Sequence, residues 1–448
     1  MNIIIVGAGE IGRHLALSLS LESHSITVIE LHRELASELE DQLDARVITA
    51  DGTEIEILID AGVGDCDLFL ALTSHNSVNI TASSIAKKMG AGKVICRVHP
   101  GLQREEWLFD FRGHFGIDHF FSSERLSAIE LAKFIRNPDC LAVEEVARGR
   151  IELQQVRVAE GSDVLGKPLK DLKLPERTRI ASVARHGNHF VPQAGEAMEA
   201  GDVVTVFGEP RKLRTLADRL QKGNATREAL RVVIFGGGEY GFSLAQMLES
   251  WNFRVRIFEK DAERARELVD QLANTTVINA DGTVLNELRE EQVGDADFFV
   301  ACSGSDEDNV MTCLQANTLG AKNCLTLIHR ADYADAISGS GKHFGMLAAV
   351  SPRDATRREL ERFITSDAFH TVKKLDAGEG VETTIKKGSI AAGKQVAEIE
   401  WPSGCVLVAR LQGVQADVPG ASDVLSPGDT IYAMVDPKAR KAFLKLVQ

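Results

Sequence analysis

The sequence predicts an α/β protein built twice over, each half a doubly wound parallel sheet followed by a small α+β module. Three observations predict it. Short, fully apolar segments alternate with segments whose apolar residues recur at helical spacing, the pattern of a parallel sheet covered on both faces. Gly7-Ala8-Gly9-Glu10-Ile11-Gly12 recurs as Gly236-Gly237-Gly238-Glu239-Tyr240-Gly241. Later, Gly166-Lys167, Pro175 and Gly201-Asp202 recur as Gly393-Lys394, Pro402 and Gly428-Asp429. Internal repetition at this scale means a duplicated architecture.

The elements follow in order. Ile3 to Val6 is a buried strand, and Ile11 to Leu21 an amphipathic helix. Ser25 to Glu30 is a second strand that ends in an acid, and Leu35 to Leu43 a second helix. Arg46 to Thr49, Asp67 to Leu72 and Lys93 to Val98 read as further strands with helices between them. The small module reads as short strands over Ile151 to Val158, Ile180 to Arg185 and Asp202 to Phe207, closed by a helix over Lys212 to Leu220. The joins between parts are expected near Asn137-Pro138-Asp139, Lys222 to Thr226 and Thr365-Ser366-Asp367. The domains are therefore expected over 1–137, 138–222, 230–366 and 367–448.

Composition narrows the function. A chain of 448 residues holds two to four domains at roughly 100–200 residues each. Its 51 Lys and Arg against 65 Asp and Glu give a net charge of −14, which disfavours a nucleic-acid binder. Seven cysteines, an odd number with no CxxC pair, read as reduced thiols in a cytosolic protein. No apolar run approaches the ~20 residues of a membrane span. The opening Met1-Asn2-Ile3-Ile4-Ile5-Val6 lacks a basic region and reads as a strand, not a signal peptide.

A GxGxxG between strand and helix with an acid about 20 residues on is a dinucleotide-binding pattern, and both copies supply it. The first glycine permits the tight turn, the second lets backbone approach phosphates, and the third lets helix and sheet pack closely. Glu30 and Glu259 end the second strands, where a carboxylate accepts from ribose hydroxyls and repels a 2′-phosphate. That favours NAD, NADH or an adenine nucleotide over NADP. Asp51-Gly52-Thr53 and Asp281-Gly282-Thr283 follow the third strands; they line the adenine end of a site or cap a helix, and sequence leaves both open. Thr73-Ser74 and Ser303-Gly304 end the fourth strands, at the carboxyl edge where ligands bind. Arg97 ends the fifth strand and can pair with phosphate. Leu327 stands at its counterpart, with Arg330 three residues on. Tyr240 replaces Ile11, a ring that obstructs its crevice or stacks on a base.

Catalytic signals are poor. GxSxG, HExxH and Walker A lysine motifs are missing, and His186 and His189 flank a solvated turn rather than a metal. No acid/base pair stands out for a dehydrogenase. No helix-turn-helix is recognisable for a redox-sensing transcription factor.

With the doubled glycine loop, its acids, the Asp-Gly-Thr turns, Asn79 and Asn309, and the order of large fold then small module twice, the chain resembles the TrkA family of regulatory subunits of bacterial Trk potassium-uptake systems. The resemblance covers essentially the whole chain. It implies two tandem KTN/RCK units, each a Rossmann-like domain followed by a TrkA-C module. It implies binding of NAD(H), with ATP or ADP as alternatives, and no enzymatic activity. It implies a ring of four two-unit chains beneath a TrkH/KtrB-type membrane potassium transporter, on the cytoplasmic face of the inner membrane. Gly7 to Ile11, Glu30, Thr73 and Arg97 would contact nucleotide in the first unit, and Gly236 to Tyr240 with Glu259 in the second. Two departures set the sites apart: His75-Asn76-Ser77 stands where Asp306-Glu307-Asp308 is acidic, and Arg97 has no aligned arginine in the second unit. The competing readings are an NAD-dependent oxidoreductase and an RCK regulator of another cation transporter.

Overall fold

The computed structural model describes residues 1–448 apart from positions 23, 44, 106–107, 138–139, 147–149, 187, 191, 223–228, 331–332, 335–336, 338–344, 365–369, 376–377 and 413–414. The three expected joins lie wholly or partly outside the described residues.

In the first half, strands β1 (Asn2–Val6), β2 (Ser25–Glu30), β3 (Arg46–Thr49), β4 (Leu68–Ala71), β5 (Lys93–Arg97) and β6 (His119–Phe121) form one parallel sheet in the order β3-β2-β1-β4-β5-β6. Helices α1 (Glu10–Ser20), α2 (Arg33–Glu40), α3 (Ile55–Asp60), α4 (Asn76–Met89), α5 (Pro100–Arg104), α6 (Phe111–Phe115) and α7 (Ser123–Arg136) connect and follow the strands. Alternate residues of one strand feed opposite faces. Ile3 and Ile5 join Val28, Leu68, Leu15 and Leu19 in one buried cluster, while Ile4 and Val6 join Ile29, Phe69, Leu58 and Ala82 in another. A strand buried on both sides has no polar face, which is why these segments read as unbroken apolar runs. The order reverses between β1 and β4, so a crevice opens at their carboxyl ends.

The first small module contains β7 (Cys140–Val146), β8 (Ile151–Arg157), β9 (Thr178–Arg185), β10 (Asn188–Phe190), β11 (Val203–Gly208) and α8 (Pro210–Lys222), with an antiparallel sheet in the order β10-β9-β11-β8-β7. The second half repeats the plan. Strands β12 (Leu230–Phe235), β13 (Phe253–Glu259), β14 (Thr275–Asn279), β15 (Phe298–Ala301), β16 (Cys324–Leu327) and β17 (Met346–Val350) pair in the order β14-β13-β12-β15-β16-β17. Helices α9 (Glu239–Glu249), α10 (Ala262–Gln271), α11 (Leu285–Glu290), α12 (Asp306–Leu319) and α13 (Pro352–Ile364) accompany them. The last module holds β18 (His370–Leu375), β19 (Gly378–Thr384), β20 (Cys405–Gln412), β21 (Gln415–Asp417), β22 (Thr430–Val435) and α14 (Arg440–Val447), its sheet ordered β18-β19-β22-β20-β21. Strands β6, β7 and β10 have no counterpart in the sequence reading, because three-residue strands and strands beside polar turns carry little periodicity.

Like parts associate. Residues 1–132 and 228–364 form one compact unit containing both parallel sheets, and 133–227 with 365–448 form another containing both antiparallel sheets. In the first unit α13 packs on the first half: Leu360 and Ile364 belong to the same buried cluster as Ile3 and Leu15. Glu359 on α13 pairs with His119 at 2.9 Å, and Arg358 with Glu130 at 3.1 Å. In the second unit Leu153 and Phe207 of one sheet share a cluster with Val408, Tyr432 and Met434 of the other. No helix among the described residues is long and apolar enough to cross a membrane.

Candidate functional site

The first glycine turn is shaped by close approaches. Gly7 has φ +99°, and its N–H donates to Ile29 O at 2.8 Å. A Cβ on Gly7 would stand 3.0 Å from Thr73 N, and one on Gly12 would overlap the Gly7 carbonyl. A Cβ on Gly9, by contrast, would meet nothing. Gly9 is the N-cap of α1 and no side chain caps this helix, so the backbone donors of its first turn face open space, the arrangement that suits phosphate.

Glu30 is buried at the end of β2. One carboxylate oxygen accepts from Ala8 N at 2.5 Å and the other from His32 N at 2.8 Å. The acid therefore ties strand to glycine turn. Each oxygen keeps a lone pair, so a ribose hydroxyl can still be accepted. Asp51 accepts from Thr53 N at 2.9 Å and Thr53 Oγ1 at 2.8 Å, which holds its carboxyl below the usual range. The pair makes a local turn and not a cap, since Glu54 is the N-cap of α3 and lends no side-chain bond. A Cβ on Gly52 would run into Val6.

Asn79 braces the other side. Its Oδ1 accepts from Thr73 N at 2.9 Å and Thr73 Oγ1 at 2.6 Å, and its Nδ2 donates to Thr73 O and Arg97 O, both at 2.9 Å. It thus locks the exits of β4 and β5 together. Arg97 pairs with Glu124 at the start of α7 at 3.1 Å. Burial opposes ionisation of Glu124, but Arg97 and the Ser122 hydroxyl outweigh it and hold the carboxyl below the usual range.

These parts surround a cavity of about 440 Å³. Gly7, Gly9, Glu10, Ile11, Glu30, Asp51, Gly52, Thr73, Ser74 and Arg97 line it. Ala8, Gly12 and Thr53 do not; they shape the turns behind it. Four lining residues come from the second half: Tyr240, His329, Pro352 and Arg353. Tyr240, at the second glycine turn, thus also reaches the first crevice. Burial and the Glu124 carboxylate push its phenol well above the usual tyrosine range. Its ring meets His329 edge-on at 5.5 Å, and His329 Nδ1 lies 2.9 Å from Asp306. The repeat shows that there are two copies, but no local sequence signal marks which of their surfaces meet, so these contributions are not legible in the sequence.

The second crevice has the same frame and different contents. Gly236 has φ +102°, a Cβ on Gly241 would overlap the Gly236 carbonyl, and a Cβ on Gly238 would meet nothing. Glu259 accepts from Gly237 N at 2.9 Å and Asp261 N at 2.8 Å. Asp281 accepts from the Thr283 hydroxyl and N–H, at 2.7 and 3.0 Å. A Cβ on Gly282 would strike the Phe235 ring. Asn309 accepts from Ser303 N at 2.8 Å and donates to Leu327 O at 3.1 Å. Two arginines cover the glycine turn. Arg264 donates to Gly237 O at 2.9 Å and to Glu239 at 3.1 Å, and Arg104 of the first half lies 3.3 Å from the other Glu239 oxygen. Arg330 instead packs over Tyr333, 4.2 Å from its ring. Among the described residues no group of His, Cys, Asp and Glu is arranged to hold a metal.

Known proteins share this organisation. The TrkA-N domain family matches residues 3–110 and 232–351, and the TrkA-C domain family matches 153–221 and 381–448. The Trk system potassium uptake protein TrkA of Haemophilus influenzae is 30% identical over 450 residues, covering 98% of this chain and 96% of that one. Two solved structures have the same fold at 18% identity and a TM-score of 0.59. The GsuK RCK domain covers all of this chain and 94% of its own, and the GsuK channel bound to NAD covers all of this chain and 78% of its own. The chain, matched in both halves and over nearly its whole length, belongs to the TrkA family of Trk system potassium uptake proteins, a family of uptake proteins and not of enzymes.

Proposed function

We propose that this chain is a cytoplasmic regulatory subunit that binds NAD(H) or an adenine nucleotide in its first crevice and thereby gates a TrkH/KtrB-type membrane potassium transporter. The observation that carries the reading is the cavity of about 440 Å³ at the switch point of the first sheet. It joins an uncapped helix N-terminus across open space at Gly9 to an acid at the end of β2. The volume lies in the range of small-molecule sites. Gly7 to Ile11 would hold the pyrophosphate, Glu30 the adenosine ribose, and Asp51 and Gly52 the adenine end. Thr73, Ser74 and Arg97 would face the distal end. Gly236 to Tyr240, Glu259, Asp281 to Thr283 and Ser303 form the second site, where Glu239 is already engaged by two arginines.

Four chains would form a ring against the cytoplasmic face of the membrane, with the four domains bounded as 1–137, 138–222, 230–366 and 367–448. A ligand moves such a ring between two shapes only by binding them unequally. The cavity supplies that inequality, because its wall comes from two glycine turns that a change of shape would separate. The NAD named with the GsuK channel supports the ligand class.

The test is potassium uptake in low-potassium medium by cells lacking this gene, with nucleotide binding measured on the purified chain. Uptake restored by the native chain, and not by Glu30→Ala, supports the reading. Uptake that is normal without the gene, or a native chain that binds neither NAD(H) nor ADP, removes it.

A further inference from the structure

The two long helices that leave the parallel sheets begin differently. The first half has Ser122-Ser123-Glu124 and the second Ser351-Pro352-Arg353. Glu124 is satisfied, by Arg97 at 3.1 Å and by the Ser122 hydroxyl at 2.8 Å. Arg353 is not matched in this way. Its side chain is 14% exposed, and its Nε has no hydrogen-bond partner among the described residues. The nearest carboxylate recorded for it, Asp354, stands at 3.8 Å, beyond hydrogen-bond distance. A guanidinium does not shed its charge, so a largely buried one with an unmade bond calls for an anion. Arg353 lines the first cavity together with Gly7, Gly9 and Ile11, where α1 has no side-chain cap. The helix that carries it is anchored to the first half by Leu360 and Ile364.

We propose that Arg353, supplied by the second half, binds the phosphate groups of an adenine nucleotide in the first crevice. The site is then complete only while α13 is seated on α1, and ligand binding and helix seating strengthen one another. The inference rests on the first crevice being a nucleotide site. It adds the residue that reads phosphate charge and makes the site belong to both halves.

The experiment titrates full-length native chain, Arg353→Gln and Arg353→Lys with ADP and with AMP at two salt concentrations. Melting midpoints without ligand are recorded alongside. Charge-assisted bonds of this type are worth enough that Arg353→Gln should bind ADP about tenfold or more weakly. AMP, with less phosphate charge, should lose less. Arg353→Lys, which keeps the charge and loses the fork, should fall between. The salt dependence of ADP binding should shrink in Arg353→Gln, and its unliganded midpoint should match the native one. Equal ADP affinity in the native chain and Arg353→Gln would overturn the inference while leaving the nucleotide site standing. A native chain that binds neither nucleotide would overturn both. Loss of binding in Arg353→Gln and Arg353→Lys with a lowered midpoint in both would assign the residue to folding and overturn the inference as well.

Discussion

The two crevices have one backbone plan and different charge pairing around their glycine turns. In the first, Gly9 and Glu10 are exposed, and the cations of the cavity wall are Arg97, already paired, and Arg353, whose Nε is unbonded. In the second, Arg264 and Arg104 bind the glutamate and a carbonyl of the glycine turn itself. Leu35, which lines the first cavity, stands in the repeat where Arg264 stands in the second. One substitution of that kind turns a wall of a cavity into a clasp. The glycine frame decides where a ligand can sit, and the side chains just outside it decide whether the place is open.

The largest expected effect tests the shared frame. Alanine at Gly12 or Gly241 drives a methyl group into a backbone carbonyl in either half. Overpacking against backbone should lower stability by about 3 kcal/mol or more, to similar degrees in the two variants, in urea denaturation. Unequal costs would mean that the two turns are not equivalent. Gly237→Ala sharpens the contrast. Its Cβ would come 2.7 Å from Glu259 and closer still to Leu268, although the counterpart Ala8 is native. It should cost roughly 1–3 kcal/mol, whereas Ala8→Gly should cost about 1 kcal/mol or less.

Ligand binding separates the halves next. Glu30→Gln should weaken NAD(H) or ADP binding by roughly tenfold or more, since a charge-assisted acceptor is lost. Glu259→Gln should leave the tighter binding event unchanged in calorimetry. Equal losses would show that the second crevice is as open as the first. Arg264→Ala removes the clasp. Partly buried ion pairs of this kind are worth on the order of 1 kcal/mol, so a second, weaker binding event should emerge or tighten by about fivefold.

The smallest effect is acid-dependent. His14 on α1 faces Asp354 at 3.6 Å, with Arg353 and Arg357 on the same side of α13. Burial and Arg353 lower its pKa from 6.5, and Asp354 only partly offsets them. The unfolded chain therefore binds this proton more readily than the folded one. The stability of the α1–α13 contact is full above about pH 6.5 and falls as the pH drops below it. The melting midpoint should decline between pH 7.5 and 5.5 in the native chain and less so in His14→Gln.

Much of this was legible in the residues. Both parallel sheets followed from apolar runs such as Ile3 to Val6, and the crevices from the glycine turns with Glu30 and Glu259. Asn79 and Asn309 stood out only as repeat markers. Their role as braces between β4 and β5, and between β15 and β16, depends on backbone atoms that carry no sequence signal. Tyr240, His329 and Arg353 were hidden for another reason. They belong to the other half of the chain from most of the cavity they line, and local periodicity carries no information about which surfaces of two copies meet. The Asp51 turn shows the limit in miniature: Asp-Gly-Thr before a helix is compatible with a cap, and the carboxylate bonds within its own turn instead.

The covalent pairing of the two parallel sheets has an evolutionary consequence. If a single-unit protein paired with an identical copy, every substitution would appear in both crevices at once. An arginine over one glycine turn would be an arginine over both. Joining two copies in one chain removes that constraint. Each crevice can drift under its own selection, while the partner that completes it is delivered at a fixed ratio of one to one. Glu124 and Arg353, opposite charges at equivalent helix starts, are a record of that freedom.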